Sequence, residues 1–279
     1  MADFSRFLLV SDFDHTLTDH TGQIPRANLD AISYFIEHGG VFTICTGRSL
    51  PAAQGLLQEV PINAPLLFCN GAACYDTQNK NLIFCHALPE NAADMIEFCR
   101  TSFPDLRLEV HTLHAHYAFG EDPRRDAVLR RRGTDHYYPE QVSQIPAPWV
   151  KFSLYSRDGD VATIDPESER WAYFQKAAKT INHRSAGALT ATHSLPGLVE
   201  VQKAGTSKGL AARELAQTLN RPVLVCVGDA PNDIPMLEEA DLPFLASDGE
   251  AEMMAYPFPK VAPSSQGTVA DVIKILQTL

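Results

Sequence analysis

Two short apolar runs, far apart in the chain, each lead into a pair of aspartates. Phe7-Leu8-Leu9-Val10 runs into Ser11-Asp12-Phe13-Asp14-His15-Thr16, and Pro222-Val223-Leu224-Val225-Cys226-Val227 runs into Gly228-Asp229-Ala230-Pro231-Asn232-Asp233. Such a run, bounded by polar residues, reads as a strand buried on both faces, as in a parallel sheet. In open α/β sheets ligands bind beyond the carboxyl ends of the strands, where these carboxylates sit. If the two strands are neighbours, Asp12, Asp14, Asp229 and Asp233 converge on one site. Carboxylates packed together repel and lose hydration, and a cation or a shared proton removes most of that cost. A hard divalent ion such as Mg²⁺ takes oxygen ligands and typically combines one or two carboxylates with substrate phosphate. Each aspartate alone is as readily a helix cap or turn residue. Two clusters, each at the end of a buried strand, fit that explanation poorly.

Two further strand ends extend the pattern. Val41-Phe42-Thr43-Ile44-Cys45 runs into Thr46-Gly47-Arg48, with Ser49-Leu50-Pro51 opening a helix. A hydroxyl, a glycine amide and a nearby helix N-terminus make a seat for a phosphoryl oxygen. Gly205-Thr206-Ser207-Lys208-Gly209 opens another helix. Lys208 falls in its first turn, where the helix dipole disfavours a cation unless an anion is near. Taken alone it reads as a solvated lysine.

In order along the chain, Asp12-Phe-Asp14-His-Thr16, Thr46-Gly47-Arg48, Lys208 and Gly228-Asp229-Ala-Pro-Asn232-Asp233 resemble the four signature motifs of the haloacid dehalogenase superfamily of phosphohydrolases. The Cof-type branch is the best match: Asn70-Gly71-Ala72 after Leu66-Leu67-Phe68-Cys69, and the strand Leu198-Val199-Glu200-Val201 before the lysine, are similar to features of that branch. The resemblance implies an α/β fold, a Rossmann-like parallel-sheet core with an inserted α+β cap domain. It also implies Mg²⁺-dependent hydrolysis of small phosphomonoesters, sugar phosphates or similar metabolites, through an aspartyl-phosphate. On that reading Asp12 is the nucleophile and Asp14 the general acid and base; spacing alone does not choose between them. Thr46, Gly47, Lys208 and Asn232 are then expected around the phosphoryl group, and Asp12, Asp14, Asp229 and Asp233 around Mg²⁺. A phosphomutase, or a non-catalytic protein binding a phosphorylated metabolite, are the alternatives on the same fold. A halide-releasing enzyme has no need of Asp14 or of a phosphate-binding lysine. Two positions depart from the family: His15 stands where Gly or another small or acidic residue is usual, and Ser247-Asp248-Gly249-Glu250 replaces a common Met-Gly-Asn-Ala.

Composition agrees. The 279 residues suggest about two domains, and 45% hydrophobic residues supply a core. A net charge of −11 makes a nucleic-acid backbone an unsuitable partner, while a locally cationic site still accepts a small anion. No stretch reaches the apolar length of a membrane span, and the N-terminus has no signal-peptide pattern. The six cysteines form no Cys-x-x-Cys pair, and several sit in apolar runs, as expected for a reduced, cytoplasmic protein. None is followed six positions later by arginine, which excludes the loop of cysteine-nucleophile phosphatases.

Strands and helices alternate to about Cys85. The character then changes, with strand-like runs at Leu106–Leu113, Ala115–Phe119, Val150–Tyr155, Ala188–His193 and Leu198–Gln202, and helices at Asn91–Thr101 and near Pro166–Ile181. The expected domains are therefore a core of residues 1–86 and 204–279 and a cap of residues 87–203 that sets substrate choice and can exclude water. Within the cap, spacing does not place His111, His114 and His116 on one strand face, so surface histidines are the default. The run Arg124, Arg125, Arg130, Arg131 and Arg132 reads as a solvated helix face. Trp149 and Trp171 read as packing residues.

Overall fold

The computed structural model describes residues 2–54, 59–157, 164–165, 168–195 and 197–279. In chain order the first elements are β1 (Phe7–Ser11), α1 (Arg26–Glu37), β2 (Val41–Ile44), α2 (Leu50–Gln54), β3 (Leu66–Phe68), β4 (Ala73–Asp76) and β5 (Asn81–Cys85). Then come α3 (Ala92–Ser102), β6 (Leu106–Thr112), β7 (Ala115–Ala118), α4 (Pro123–Arg131), β8 (Asp135–Tyr137), β9 (Trp149–Ser156), α5 (Glu169–Arg184), β10 (Leu189–Leu195) and β11 (Leu198–Lys203). The chain closes with α6 (Lys208–Thr218), β12 (Val223–Gly228), α7 (Ile234–Glu239), β13 (Leu242–Ala246), β14 (Lys260–Val261) and α8 (Thr268–Leu276). Two compact units result. Unit 1 comprises Met1–Gly47, Glu59–Phe84 and Ser207–Leu279; unit 2 comprises Arg48–Gln58 and Cys85–Thr206.

Unit 1 is built on a parallel five-stranded sheet in the order β14-β13-β12-β1-β2. The two aspartate-bearing strands are direct neighbours, with Ser11 level with Val227 and also with Ile44. Leu8, Leu9 and Val10 are wholly buried, each contributing about 1.5–3 kcal/mol relative to exposure. This register brings the carboxyl ends of β12, β1 and β2 to one level: Asp12 N donates to Val227 O at 2.9 Å, and Cys45 N to Ser11 O at 2.9 Å. Buried Asn28 of α1 anchors the loop after β1. Its Nδ2 donates to Leu17 O at 2.9 Å, and its Oδ1 accepts from Ala270 N of α8 at 3.0 Å. The small sheet β3-β4-β5 is joined to β2 by a parallel bridge between Cys45 and Leu67.

Unit 2 is a six-stranded sheet in the order β10-β11-β9-β6-β7-β8. Alternation gives it one apolar face: Leu106, Leu108, Val110, Phe152, Leu154, Val199 and Val201 pack against Ile96 and Cys99 of α3 and Phe174, Ala177 and Ile181 of α5. The strands expected at 106–113, 150–155, 188–193 and 198–202 are present within a few residues. The helix expected from Pro166 begins, among the described residues, at Glu169, capped by the Ser168 hydroxyl, which accepts from Trp171 N at 3.1 Å; residues 166 and 167 lie outside them. Trp149 and Trp171 pack on the apolar cluster, as expected.

The arginine run differs from its expectation in one residue. Asp122 caps α4, accepting from Arg124 N and Arg125 N at 3.1 Å each. This turns the half-buried Arg125 inward, where its guanidinium donates to both carboxylate oxygens of Glu109 at 3.0 Å. Arg124, Arg130, Arg131 and Arg132 are exposed.

Helix α6 packs closely on the turn after β3. Gly71 has φ +89°, and a Cβ there would lie 2.3 Å from Ser207 O and 2.8 Å from Ala211 Cβ. Gly71→Ala is therefore expected to cost about 1–3 kcal/mol through strain and displacement of α6. The loss is read as a lower midpoint in urea unfolding, and an unchanged midpoint would contradict so close an approach.

Candidate active site

At the carboxyl ends of β1 and β12, Asp12, Asp229 and Asp233 bring carboxylate oxygens within 4.8 Å of one another, and all three are buried. The sequence runs that end in aspartate thus meet because their strands pair. Lys208, the first residue of α6, is 1% exposed; the solvated reading does not hold. Its Nζ donates to Asp12 Oδ1 and to Asp233 Oδ1, each at 2.6 Å. These anions offset the unfavourable helix dipole at that position. The other oxygen of Asp233 accepts from Asp229 N at 3.0 Å and Ala230 N at 3.1 Å, so Asp233 braces both the lysine and the turn after β12. A side chain at Gly228 would collide with it, with a Cβ only 2.5 Å from Asp233 Cβ.

Three carboxylates face one ammonium, an excess of negative charge that suits a divalent cation. Burial pushes the Asp12 carboxyl well above its ordinary range, with Asp233 and Asp229 adding to the rise and Lys208 opposing it. Burial and Asp233 raise Asp229 to about 7. Burial opposes the Lys208 charge, but Asp12 and Asp233 outweigh it and hold the ammonium well above its usual value. These shifts, together with a donor set made of carboxylate oxygens, fit a hard ion such as Mg²⁺ held by Asp12 and Asp229.

Asp14 stands outside this carboxylate group. It is half-buried, at φ −76° and ψ 126°, in the turn of Phe13–Leu17 that follows β1. His15 takes φ +61°, a left-handed conformation that glycine adopts at least cost. Its ring Nδ1 lies 3.0 Å from His20 Nδ1, and His20 Nε2 lies 3.2 Å from Asp248 Oδ2. Asp248 in turn accepts from Ser264 N and Oγ at 2.8 and 2.7 Å. The two positions that depart from the family motifs are thus connected to each other.

The phosphate-seat residues also gather in unit 1. Thr46 is 2% exposed; its N donates to Leu67 O at 3.0 Å and its O accepts from Asn70 N at 3.0 Å. A Cβ on Gly47 would lie 2.9 Å from Asn70 Oδ1. Exposed Asn232 donates from Nδ2 to the same Oδ1 at 3.3 Å. Asn70 is thereby the link between the Thr46-Gly47 turn and the turn after β12. Sequence reasoning gave it no role, although the Asn-Gly-Ala triplet marked it. Thr16, inside the first motif, also has a partner that the motif alone does not reveal. Its hydroxyl donates to Asp229 Oδ1.

A family model described as haloacid dehalogenase-like hydrolase matches residues 9–273. The chain belongs to the haloacid dehalogenase-like hydrolase family. It is similar to the 5-amino-6-(5-phospho-D-ribitylamino)uracil phosphatase YwtE of Bacillus subtilis (strain 168), with 25% identity over 245 residues covering 82% of this chain and 83% of that protein. It is also similar to the pyridoxal phosphate phosphatase YbhA of Escherichia coli (strain K12), with 25% identity over 246 residues covering 84% and 85%. A solved haloacid dehalogenase-like hydrolase from Bacteroides thetaiotaomicron shares the fold at a TM-score of 0.80 and 18% identity, over 96% of this chain and 98% of that one. The subclass IIB sugar phosphatase BT4131 shares it at 0.75 and 18%, over 98% and 99%. As a haloacid dehalogenase-like hydrolase the chain is an enzyme of phosphatase type. Among its described residues no helix is long and apolar enough to cross a membrane.

The raised Asp229 pKa has a measurable consequence. The native state binds a proton there between about pH 4 and 7 that the unfolded state has released. In metal-free enzyme that contribution to stability is present at low pH and lost as the pH rises through about 7. Asp229→Asn is expected to raise the thermal midpoint of metal-free enzyme at pH 8 and to flatten its pH dependence between about 4 and 7. Protons and a cation compete for the same carboxylate, so Mg²⁺ is expected to raise the wild-type midpoint more at pH 8 than at pH 5. Equal protection at both pH values would refute this charge assignment.

Proposed function

We propose that this enzyme is a Mg²⁺-dependent phosphatase of small phosphomonoesters, sugar phosphates or metabolites of similar size, acting through an aspartyl-phosphate. The observation that carries the reading is the meeting of Asp12, Asp229, Asp233 and Lys208 at the ends of two paired parallel strands. The phosphate esters named in the two curated relatives, a ribitylaminouracil phosphate and pyridoxal phosphate, are both small phosphomonoesters, which supports this substrate class. Unit 1 carries the chemistry on this reading, and unit 2 selects the leaving group.

Asp12 attacks phosphorus, and the bond from phosphorus to the ester oxygen breaks. Asp14 gives its proton to the departing alcohol. It then takes a proton from the water that attacks the aspartyl-phosphate, which releases inorganic phosphate and restores Asp12. Thr46, the Gly47 amide, Lys208 and Asn232 bind the other phosphoryl oxygens. Lys208 is already charged and fixed before substrate arrives, so little reorganisation accompanies charge build-up in the transition state. Asp12, Asp229 and the Asp14 backbone carbonyl would hold Mg²⁺, with Asp233 fixing the turn behind them, and the ion supplies charge neutralisation and alignment.

The test is phosphate release from a panel of small phosphate esters, with Mg²⁺ and with a chelator. Asp12→Asn is expected to lose about 10³-fold or more in turnover while keeping its fold, and the chelator to abolish wild-type release. Asp14→Asn is expected to slow both formation and hydrolysis of the intermediate and to change the pH profile. Ordinary release by Asp12→Asn, or release indifferent to chelation, would end the reading.

A further inference from the structure

Unit 2 holds a second set of converging side chains. In the β6–β7 hairpin His111 pairs directly with His116, so both imidazoles project from the same face of the sheet. Glu109, two residues before His111 on β6, shares that face. The sequence expectation of scattered surface histidines fails here because the hairpin register, which spacing along one strand does not reveal, brings the two together. His114 lies in the connecting turn and is exposed.

Glu109, His111 and His116 are 0%, 2% and 4% exposed. From Glu109 Oε2, His111 Nε2 lies at 3.8 Å and His116 Nδ1 at 3.7 Å, and the three ligand atoms fall within 4.8 Å of one another. Neither nitrogen of His111, nor Nδ1 of His116, has a hydrogen-bond partner. Buried polar atoms left in this way are costly unless a ligand serves them. The outer nitrogen of His116, Nε2, lies 2.9 Å from the Ser49 hydroxyl, the arrangement that orients a metal-ligating histidine. Burial lowers the pKa of both imidazoles, which leaves them in the neutral form that binds metal.

We propose that Glu109, His111 and His116 form a binding site for a divalent transition-metal ion of the zinc class. Bonds of about 2.0–2.2 Å in tetrahedral geometry put ligand atoms about 3.3–3.6 Å apart, so the two separations from Glu109 to the histidines, 3.8 and 3.7 Å, need to close by only a few tenths of an ångström. The surroundings select the ion. Arg107, Arg125 and Lys151 face the cluster, and Glu109, Asp126 and Glu200 pair with them. Among the described residues these three cations balance these three carboxylates, so there is no surplus negative charge to hold Mg²⁺ or Ca²⁺. Affinity comes instead from two imidazole lone pairs, which suit zinc, cobalt or nickel. One coordination position is left for water or another oxygen ligand.

The test is a titration of the full chain with Co²⁺ in excess Mg²⁺, followed by the visible absorption of nitrogen-ligated cobalt. The expected result is one equivalent of Co²⁺, displaced by Zn²⁺. His111→Gln combined with His116→Gln is expected to abolish the band, and Asp229→Asn to leave it. Ser49→Ala is expected to weaken Zn²⁺ binding about 10–100-fold. Circular dichroism establishes that each variant is folded. Anomalous scattering at the zinc edge from wild-type crystals needs no variant: a peak among Glu109, His111 and His116 supports the site. A peak at the acidic cluster alone, or a cobalt band unchanged in the histidine variant, overturns it.

Discussion

A buried ammonium held between two carboxylates organises unit 1. Lys208 reaches Asp12 and Asp233 at 2.6 Å each, and with 1% of its surface exposed it has no solvent to replace either anion. Removing one partner from such a pair costs about 3–5 kcal/mol, because the remaining charge is stranded. The surrounding backbone is shaped to let the lysine in. Ser207 caps α6, accepting from Leu210 N at 3.2 Å. Gly71 and Gly209 have no room for a side chain, a Cβ at Gly209 lying only 2.0 Å from Pro235 O. The lysine therefore ties α6 to the ends of β1 and β12, and Gly71 of the turn after β3 packs against the same helix.

That arrangement stores electrostatic strain rather than relieving it. A single ammonium does not neutralise Asp12, Asp229 and Asp233, and burial together with the charge of Asp233 raises the Asp229 carboxyl to about 7. A core selected for stability alone has no use for it. On the proposed reading the site has one, since the same excess of negative charge favours a bound cation. The neighbouring turns show the same trade. His15, Cys69 and Asn70 all take positive φ, and the last two lie in the turn that faces Gly47 and α6.

Unit 2 solves a different problem. Its sheet has the usual apolar face against two helices, but the opposite face carries Arg107, Glu109, His111, Lys151, Ser153 and Glu200, all at most 6% exposed. Charges are tolerated there because they are paired in a continuous network: Arg107 with Glu109 and Asp126, each at 2.8 Å, and Arg125 with Glu109. Charge pairing satisfies the arginines and carboxylates, while both nitrogens of His111 and Nδ1 of His116 are left without hydrogen bonds.

Much of the active-site region was legible in the sequence for a physical reason. Strands buried on both faces are continuously apolar and give way to polar residues at the carboxyl end, so the runs before Asp12, Thr46 and Asp229 announced the sheet, and their ends marked the candidate site. Ordered motifs then named the family. The sequence could not show which groups satisfy one another. That Lys208 is buried, that Asp233 spends both oxygens on protein donors, and that Asn70 joins Gly47 to Asn232 all depend on register between segments as many as 196 residues apart in the chain. The pairing of His111 with His116 shows the limit most sharply. Periodicity along one strand fixes which face a residue takes relative to its own neighbours, but only the hairpin fixes what stands across from it.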